Sequence, residues 1–298
     1  IDILIDLAGH TAYTGLNTFA WRPAPVQATW LGFPGTTGAP FIDYLIADST
    51  VIPPDHHEFY SERVAALPHC YLPNDRAREI SVRTPTRAEE GLPEKGVVFC
   101  GFNASFKLTP RIFDVWMRLL QQVEGSVLWL RDGAAENLKN EAVKRGVSPD
   151  RLIFAGRTNS IGDHLARNKL ADLFLDTQNY NAHTTACDAL WAGVPIISCI
   201  GSSFASRVGA SALRAIEMPE LVTHSLEEYE ALALKLARDP ALLAATKTKL
   251  AKNRLTTPLF DTERFTRHLE AAYKTMYTRA RRSEPPVSFS VKTLPLKN

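Results

Sequence analysis

The sequence has only four cysteines, Cys70, Cys100, Cys187 and Cys199, and none stands at metal-ligand spacing. Three fall in apolar strand or helix contexts, so they read as reduced, buried thiols of a cytoplasmic protein. No apolar run reaches membrane-spanning length and no signal peptide is visible, so no membrane role is expected. Net charge is almost absent: 34 Lys and Arg against 32 Asp and Glu leave +2, which gives no case for nucleic acid or a membrane surface. The adjacent His56 and His57 have no carboxylate or cysteine at metal spacing, and Gly201-Ser202-Ser203 is not a nucleophile elbow. There is no internal repeat and no low-complexity segment. An initiator Met is missing as well. Ile1 to Leu7 starts inside a strand-like run, an improbable natural terminus, and the chain is read as the C-terminal part of something longer.

What is present is an ordinary soluble composition, 45% hydrophobic and 22% charged over 298 residues, long enough for two domains. Strand-like runs at 1–7, 26–31, 44–48 and 64–67 come first, with a short helix expected over 55–62. Arg22-Pro23-Ala24-Pro25 forces an extended entry to the second of these. Gly32 to Gly38 is a glycine-rich turn, either a plain turn or one that lets backbone approach a ligand. Residues 76–96 are polar, charged and proline-containing, and are expected to be a linker. From Val97 the pattern restarts, with strands near 97–103, 126–131, 151–155, 171–175, 196–199 and 221–222. Helices are expected between them at 110–123, 135–146, 161–170, 184–192 and 205–216. This β-α-β alternation predicts an α/β fold with doubly wound parallel sheets. The GxGxxG fingerprint is missing from the first turn, which argues against NAD. Beyond Leu226 the chain reads as helical, with Phe265, Leu269, Ala272, Tyr273 and Met276 forming one apolar stripe. The expected domains are therefore 1–75 (part of a first lobe), 97–260 (a second lobe), a C-terminal helix over 261–282 and an extended tail over 283–298.

The stretch Asp176 to Pro195 organises the second lobe. Asp176 ends a buried strand, Gln178 to Ala182 make a polar loop, and His183-Thr184-Thr185 opens a helix closed by Gly193 and Pro195. A helix start gathers unpaired N–H groups and the positive end of the dipole, which suits a phosphate. Thr184 and Thr185 are equally the ordinary caps of a helix. Asp188, one turn in, suits the hydroxyls of a ribose. Lys107 lies just before another helix start, where it either neutralises a phosphate or is a solvated loop lysine. His164 and Arg167, one turn apart, suit a base, or form a solvent face. Their joint placement at strand ends of successive α/β lobes favours a nucleotide-sugar cleft between lobes.

Six stretches together carry a resemblance: RPAPVQATWLGFPGTTG (22–38), CGFNASFKLTP (100–110), SVLWLRD (126–132), HLARNKLADLFLDT (164–177), NAHTTACDALWAG (181–193) and ASRVGASAL (205–213). In that order they resemble the catalytic region of the protein O-linked N-acetylglucosamine transferase family, and the likeness covers nearly all of residues 1–280. The resemblance implies a two-lobed GT-B-type glycosyltransferase, metal-independent and inverting, with no cofactor. Its donor would be a UDP-sugar and its acceptors Ser or Thr of proteins. It also implies an upstream tetratricopeptide array and the start of the first lobe before this region, with homo-oligomers possible through those repeats. By motif position His164 and Arg167 would hold uracil and Asp188 the ribose. Thr184, Thr185 and Lys107, with His183 beside them, would hold the diphosphate. Leu31 and Gly32 would line the sugar side, and His10 and Thr11 the acceptor side. Histidines proposed as the base in the family lie upstream of Ile1, which leaves His10 as the candidate in this chain.

The chain departs from animal relatives at several of these positions. They have Gln at Ala104, Tyr at Phe106, a ribose-binding Lys at Ile161 and Tyr at His10, while Tyr180 replaces a smaller residue near the acetamido group. The departures suit a bacterial member and leave open which sugar is moved. His183 favours the UDP-sugar branch over relatives that transfer fucose from GDP, which have Thr-rich sequence there. Other readings are a related transferase with GDP-fucose or an Asn acceptor, and a nucleotide-binding scaffold without turnover.

Overall fold

Runs such as Val26–Thr29 and Tyr44–Asp48, buried at every position, belong to strands covered on both faces, as in parallel sheets. In the computed structural model, which describes residues 1–294, such strands build two α/β units. One is Ile1–Arg76 together with the chain from Pro258 onward, and the other is Ala77–Thr257.

The first unit opens with four parallel strands, β1 (Ile3–Asp6), β2 (Val26–Thr29), β3 (Tyr44–Asp48) and β4 (Arg63–Leu67), in that spatial order. The second unit alternates strand and helix until its last two helices, which follow one another directly. Its strands are β5 (Val98–Gly101), β6 (Val127–Arg131), β7 (Leu152–Ala155), β8 (Leu173–Leu175), β9 (Ile196–Cys199) and β10 (Val222–Thr223). Its helices are α1 (Pro110–Gln122), α2 (Ala135–Lys144), α3 (Ile161–Asn168), α4 (Thr184–Ala192), α5 (Val208–Ala215), α6 (Leu226–Arg238) and α7 (Pro240–Thr256). The Thr109 hydroxyl caps α1 by accepting from Ile112 N, with Pro110 at the first helical position. The apolar face of that helix, Ile112, Val115, Trp116 and Leu119, is buried.

All six strands of the second unit are parallel, in the order β10-β9-β8-β5-β6-β7. The chain runs outward from β5 to β7, returns to the middle at β8 and then runs the other way. The order therefore reverses between β5 and β8, and in such sheets ligands bind outside the carboxyl ends of the strands at that point.

Past Pro258 the chain returns to the first unit with α8 (Thr262–Arg281) and β11 (Phe289–Ser290). Ala272 and Met276 of α8 pack with Val26, Ala28, Tyr44 and Ile46, while Phe265, Leu269 and Tyr273 flank them, as the apolar stripe predicts.

Three expectations differ from the structure. Residues 76–96 are not a loose connector: from Ala77 they belong to the second unit, Leu92 is buried, and Arg87 pairs with Asp172 at 3.1 Å. The expected tail is only partly one, since β11 pairs with β4 and Val291 is buried; residues 295–298 lie outside the described residues. The helix expected from Ala205 begins at Val208, after a single tight turn at Phe204–Ser206 whose start Ser203 and Ser206 cap reciprocally. The four thiols are free and buried. Among the described residues no helix is long and apolar enough to cross a membrane.

Candidate nucleotide site

The loop between β8 and α4 is wound round one carboxylate. Asp176, at the end of β8, accepts hydrogen bonds from Thr177 N at 2.8 Å, Ala182 N at 2.6 Å and Ser198 Oγ at 2.6 Å. Burial pushes its pKa up to about 6, against those hydrogen bonds and the nearby Lys107. Asn181 ties the same loop to its neighbours, donating to Thr177 O at 2.6 Å and accepting from Gly209 N at 3.2 Å. The result is a fixed entry into α4. His183 holds the capping position, but no side chain caps the helix. Thr184 and Thr185 therefore lie inside its first turn rather than capping it. The Thr184 side chain is exposed, and the Thr185 hydroxyl donates to Asn103 Oδ1 at 3.1 Å. Asn103, just past β5, also donates to Thr177 Oγ1 at 3.1 Å, so it bridges the two loops where the strand order reverses.

Lys107 stands in a single tight turn, Ser105–Lys107, after β5. Its ammonium donates to Asn181 O at 2.8 Å and lies 4.0 Å from the centroid of the Tyr180 ring. Burial lowers its pKa, with Asp176 opposing. The His183 ring is 5.0 Å from that of Tyr180, and burial and the Lys107 charge push its pKa down to about 4. His183 is therefore neutral at physiological pH, and its Nε2 is buried with no hydrogen-bond partner. Phe106 is 77% exposed with its ring 6.3 Å from Tyr180, so it forms the open rim of this group.

Beside them lies a cavity of about 470 Å³, lined by Phe102 beyond β5, Arg131 to Gly133 at β6, Ala155 to Thr158 at β7, His164 and Arg167 of α3, and Thr185 of α4. It sits at the carboxyl ends of three parallel strands. The His164 ring is 5.8 Å from Phe102 and the Arg167 guanidinium 5.5 Å from it, so both polar residues pack on one aromatic floor. Burial lowers the pKa of His164, and the Arg167 charge adds to that. Arg167 is nearly buried and donates from Nη1 to Gly156 O at 2.7 Å, while its Nε has no partner. These two residues are not a solvent face. Asp188, by contrast, does not line the cavity: Arg78 Nη1 donates to its Oδ1 at 2.5 Å. Ile161 is 66% exposed at the start of α3.

The other four predicted residues lie in the first unit, at the carboxyl ends of β1 and β2. His10 Nε2 is 2.8 Å from Thr37 O, with its ring edge on Phe33 at 5.2 Å. Thr11 N donates to Ala8 O in the same turn. Leu31 has φ of 81°, and Gly32 has no room for a side chain, since a Cβ there would fall 2.1 Å from Leu7 O. The asparagines Asn103 and Asn181 are the residues that sequence reasoning missed. Asn103 lies just past β5 and Asn181 in the loop between β8 and α4, and nothing local in the sequence sets either apart. Among the described residues no group of three His, Cys, Asp or Glu side chains is placed to hold a metal ion.

Glycosyl transferase family 41 matches this chain over residues 1–82 and 74–269. A probable UDP-N-acetylglucosamine–peptide N-acetylglucosaminyltransferase, SEC of Arabidopsis thaliana, is 40% identical over 300 residues, which are 98% of this chain and 31% of that protein. The similarly described SPINDLY of Oryza sativa subsp. japonica is 37% identical over 288 residues, 94% of this chain and 30% of that protein. The chain thus spans about a third of the length of these relatives. Among solved structures, a mutant of the Thermobaculum terrenum O-GlcNAc transferase superposes with a TM-score of 0.87 at 35% identity, covering 95% of this chain and 54% of that one. WaaG, a glycosyltransferase involved in lipopolysaccharide biosynthesis, shares 15% identity at a TM-score of 0.53 and is alike in fold alone. The α/β class with two parallel-sheet units of GT-B type stands as the motifs predict.

Proposed function

The chain belongs to glycosyl transferase family 41, and from that premise we propose that it is the catalytic region of a protein glycosyltransferase. It moves a sugar, GlcNAc in the first instance, from a UDP-sugar to Ser or Thr side chains, without a metal ion and with inversion at the anomeric carbon. His164 and Arg167 hold the base and Asp188 the ribose. Lys107, His183, Thr184 and Thr185 face the diphosphate, with Tyr180 on the sugar side. Leu31 and Gly32 line the sugar, and His10 and Thr11 serve the acceptor.

The observation that carries this reading is the convergence where the strand order of the second unit reverses. An ammonium, a neutral imidazole with an unpartnered Nε2 and an uncapped helix start all come together there, next to a cavity of about 470 Å³. In the reaction the acceptor oxygen attacks the anomeric carbon and the bond to the β-phosphate oxygen breaks. UDP leaves with the electron pair, so negative charge builds on the diphosphate. Groups fixed in advance around that charge lower the barrier most. Lys107 supplies a full charge and the first turn of α4 supplies N–H groups and the dipole. The exposed Thr184 hydroxyl supplies a hydrogen bond. That set takes the part a divalent cation plays at other phosphates. For the acceptor proton this chain offers His10.

The test is transfer by the full-length protein from UDP-GlcNAc to a protein acceptor in the presence of a chelator, read by intact mass and by NMR of the linkage. One N-acetylhexosamine added in β linkage is the expected product. A strict need for added metal, a retained α linkage or transfer from GDP-fucose instead would each overturn part of the reading, and no transfer from either donor would overturn it whole.

A further inference from the structure

Residues 77–92 form a strap with neither helix nor strand, and its contacts fall on the elements that carry the nucleoside residues. Arg78 reaches α4, where its Nη1 donates to Asp188 Oδ1 at 2.5 Å, the two side chains being 17% and 13% exposed. Its carbonyl accepts from Trp191 Nε1 on the same helix at 3.1 Å, which fixes the backbone beneath that guanidinium. Arg78 Nε and Nη2 are buried and have no hydrogen-bond partner. Further along, Ser81 N donates to Gly162 O at 3.1 Å, at the first turn of α3. A Cβ on Gly162 would lie 2.8 Å from Ser81 Oγ and 3.3 Å from Glu79 O, so the strap lies this close because α3 has glycine there. Glu90 places its carboxylate 3.9 Å from Arg167 Nη1. The strap thus gives a counter-charge to one residue on each of the two helices.

We infer that Arg78 is a positioning residue for nucleoside binding: it pins one oxygen of the Asp188 carboxylate so that the other is presented to the vicinal hydroxyls of a ribonucleoside diphosphate. This rests on the nucleotide reading given above. A largely buried carboxylate without a counter-charge is costly to keep ionised, and one free to rotate offers its acceptor in several directions. A guanidinium held by its own backbone removes both problems. Arg78 works through Asp188, so its loss falls on nucleotides that carry the ribose diol.

The experiment is calorimetric titration of the full-length protein and its R78Q and R78K variants with UDP and with 2′,3′-dideoxyuridine diphosphate. R78Q is expected to weaken UDP about tenfold, the order for a misplaced hydrogen bond to a charged group. It should weaken the dideoxy nucleotide by less than about threefold. R78K, which keeps the charge but loses the planar fork, should fall between wild type and R78Q for UDP. Unchanged UDP affinity in R78Q, or an equal loss for both nucleotides, would overturn the role. If R78Q does not fold, R78K reads the same contrast, and equal effects on the two nucleotides would overturn it there. Failure of the unsubstituted protein to bind UDP would instead remove the nucleotide reading, and this inference with it.

Discussion

Replacing Lys107 with alanine separates charge stabilisation in the transition state from ordinary binding. The ammonium is held by Asn181 O at 2.8 Å and by the Tyr180 face at 4.0 Å, so it does not need to move when charge arrives. Its half-buried position also means its field is less screened than that of a surface lysine. At an effective dielectric near 20, unit charges about 4 Å apart interact by about 4 kcal/mol. Between half and all of a unit of new negative charge builds on the leaving diphosphate, which puts the loss at about 2–4 kcal/mol in the barrier, or roughly 30- to 1000-fold in kcat. The intact donor lacks that extra charge, so its KM should change less than about fivefold. Steady-state transfer with varied UDP-GlcNAc gives both numbers, and a melting curve confirms that Lys107→Ala is folded. A rise in KM as large as the fall in kcat would show that Lys107 holds donor and transition state equally well, and would refute the reasoning.

Three further outcomes are expected. His164→Ala removes one of the two polar side chains packed on the Phe102 floor and should weaken UDP about tenfold by calorimetry; unchanged affinity would take it out of the base pocket. His183 binds its proton near pH 6.5 when unfolded but only near 4 when folded, so between those values the unfolded chain holds the extra proton and stability falls with falling pH. Asp176, with its pKa raised, works in the opposite direction, so the clean measurement is the difference between wild type and His183→Gln. In denaturant titrations that difference should move against wild type by ~2 kcal/mol between pH 7 and pH 4.5; a flat difference would contradict a buried neutral imidazole. Gly209→Ala places a Cβ 2.2 Å from Ser198 Oγ and 2.5 Å from Asp176 Oδ2. It should cost about 3 kcal/mol, seen as a drop of roughly 6–12 °C in Tm; a drop under about 2 °C would show that the Asp176 cluster yields easily.

Most of the strands were legible because a parallel strand is buried on both faces and reads as an unbroken apolar run, as at Tyr44–Asp48 and Val98–Gly101. The stripe on α8 was legible because its spacing is helical and its partners are a sheet. The strap was not, since it has no period and is held by ion pairs whose partners are remote: Arg78 meets Asp188 across 110 positions. Strand β11 escaped for a similar reason, being two residues long and paired with a strand more than 200 residues earlier. Within the site, Lys107, Tyr180, His183, Thr184 and Thr185 come together in one unit, at the loops where its strand order reverses. Asn103 and Asn181 went unread because their work is to tie loops together, and nothing local distinguishes such an asparagine from one in any turn. His10, Thr11, Leu31 and Gly32 cluster in the other unit, where the buried Asp6 carboxylate, accepting from Ala8 N, Gly9 N and Thr29 Oγ1, shapes their loop.

The most direct measurement is titration calorimetry of the full-length protein with UDP and then GDP, in the presence of a chelator. The account predicts tight UDP binding, much weaker GDP binding and no dependence on added metal. Preference for GDP, or binding of neither nucleotide, would contradict it.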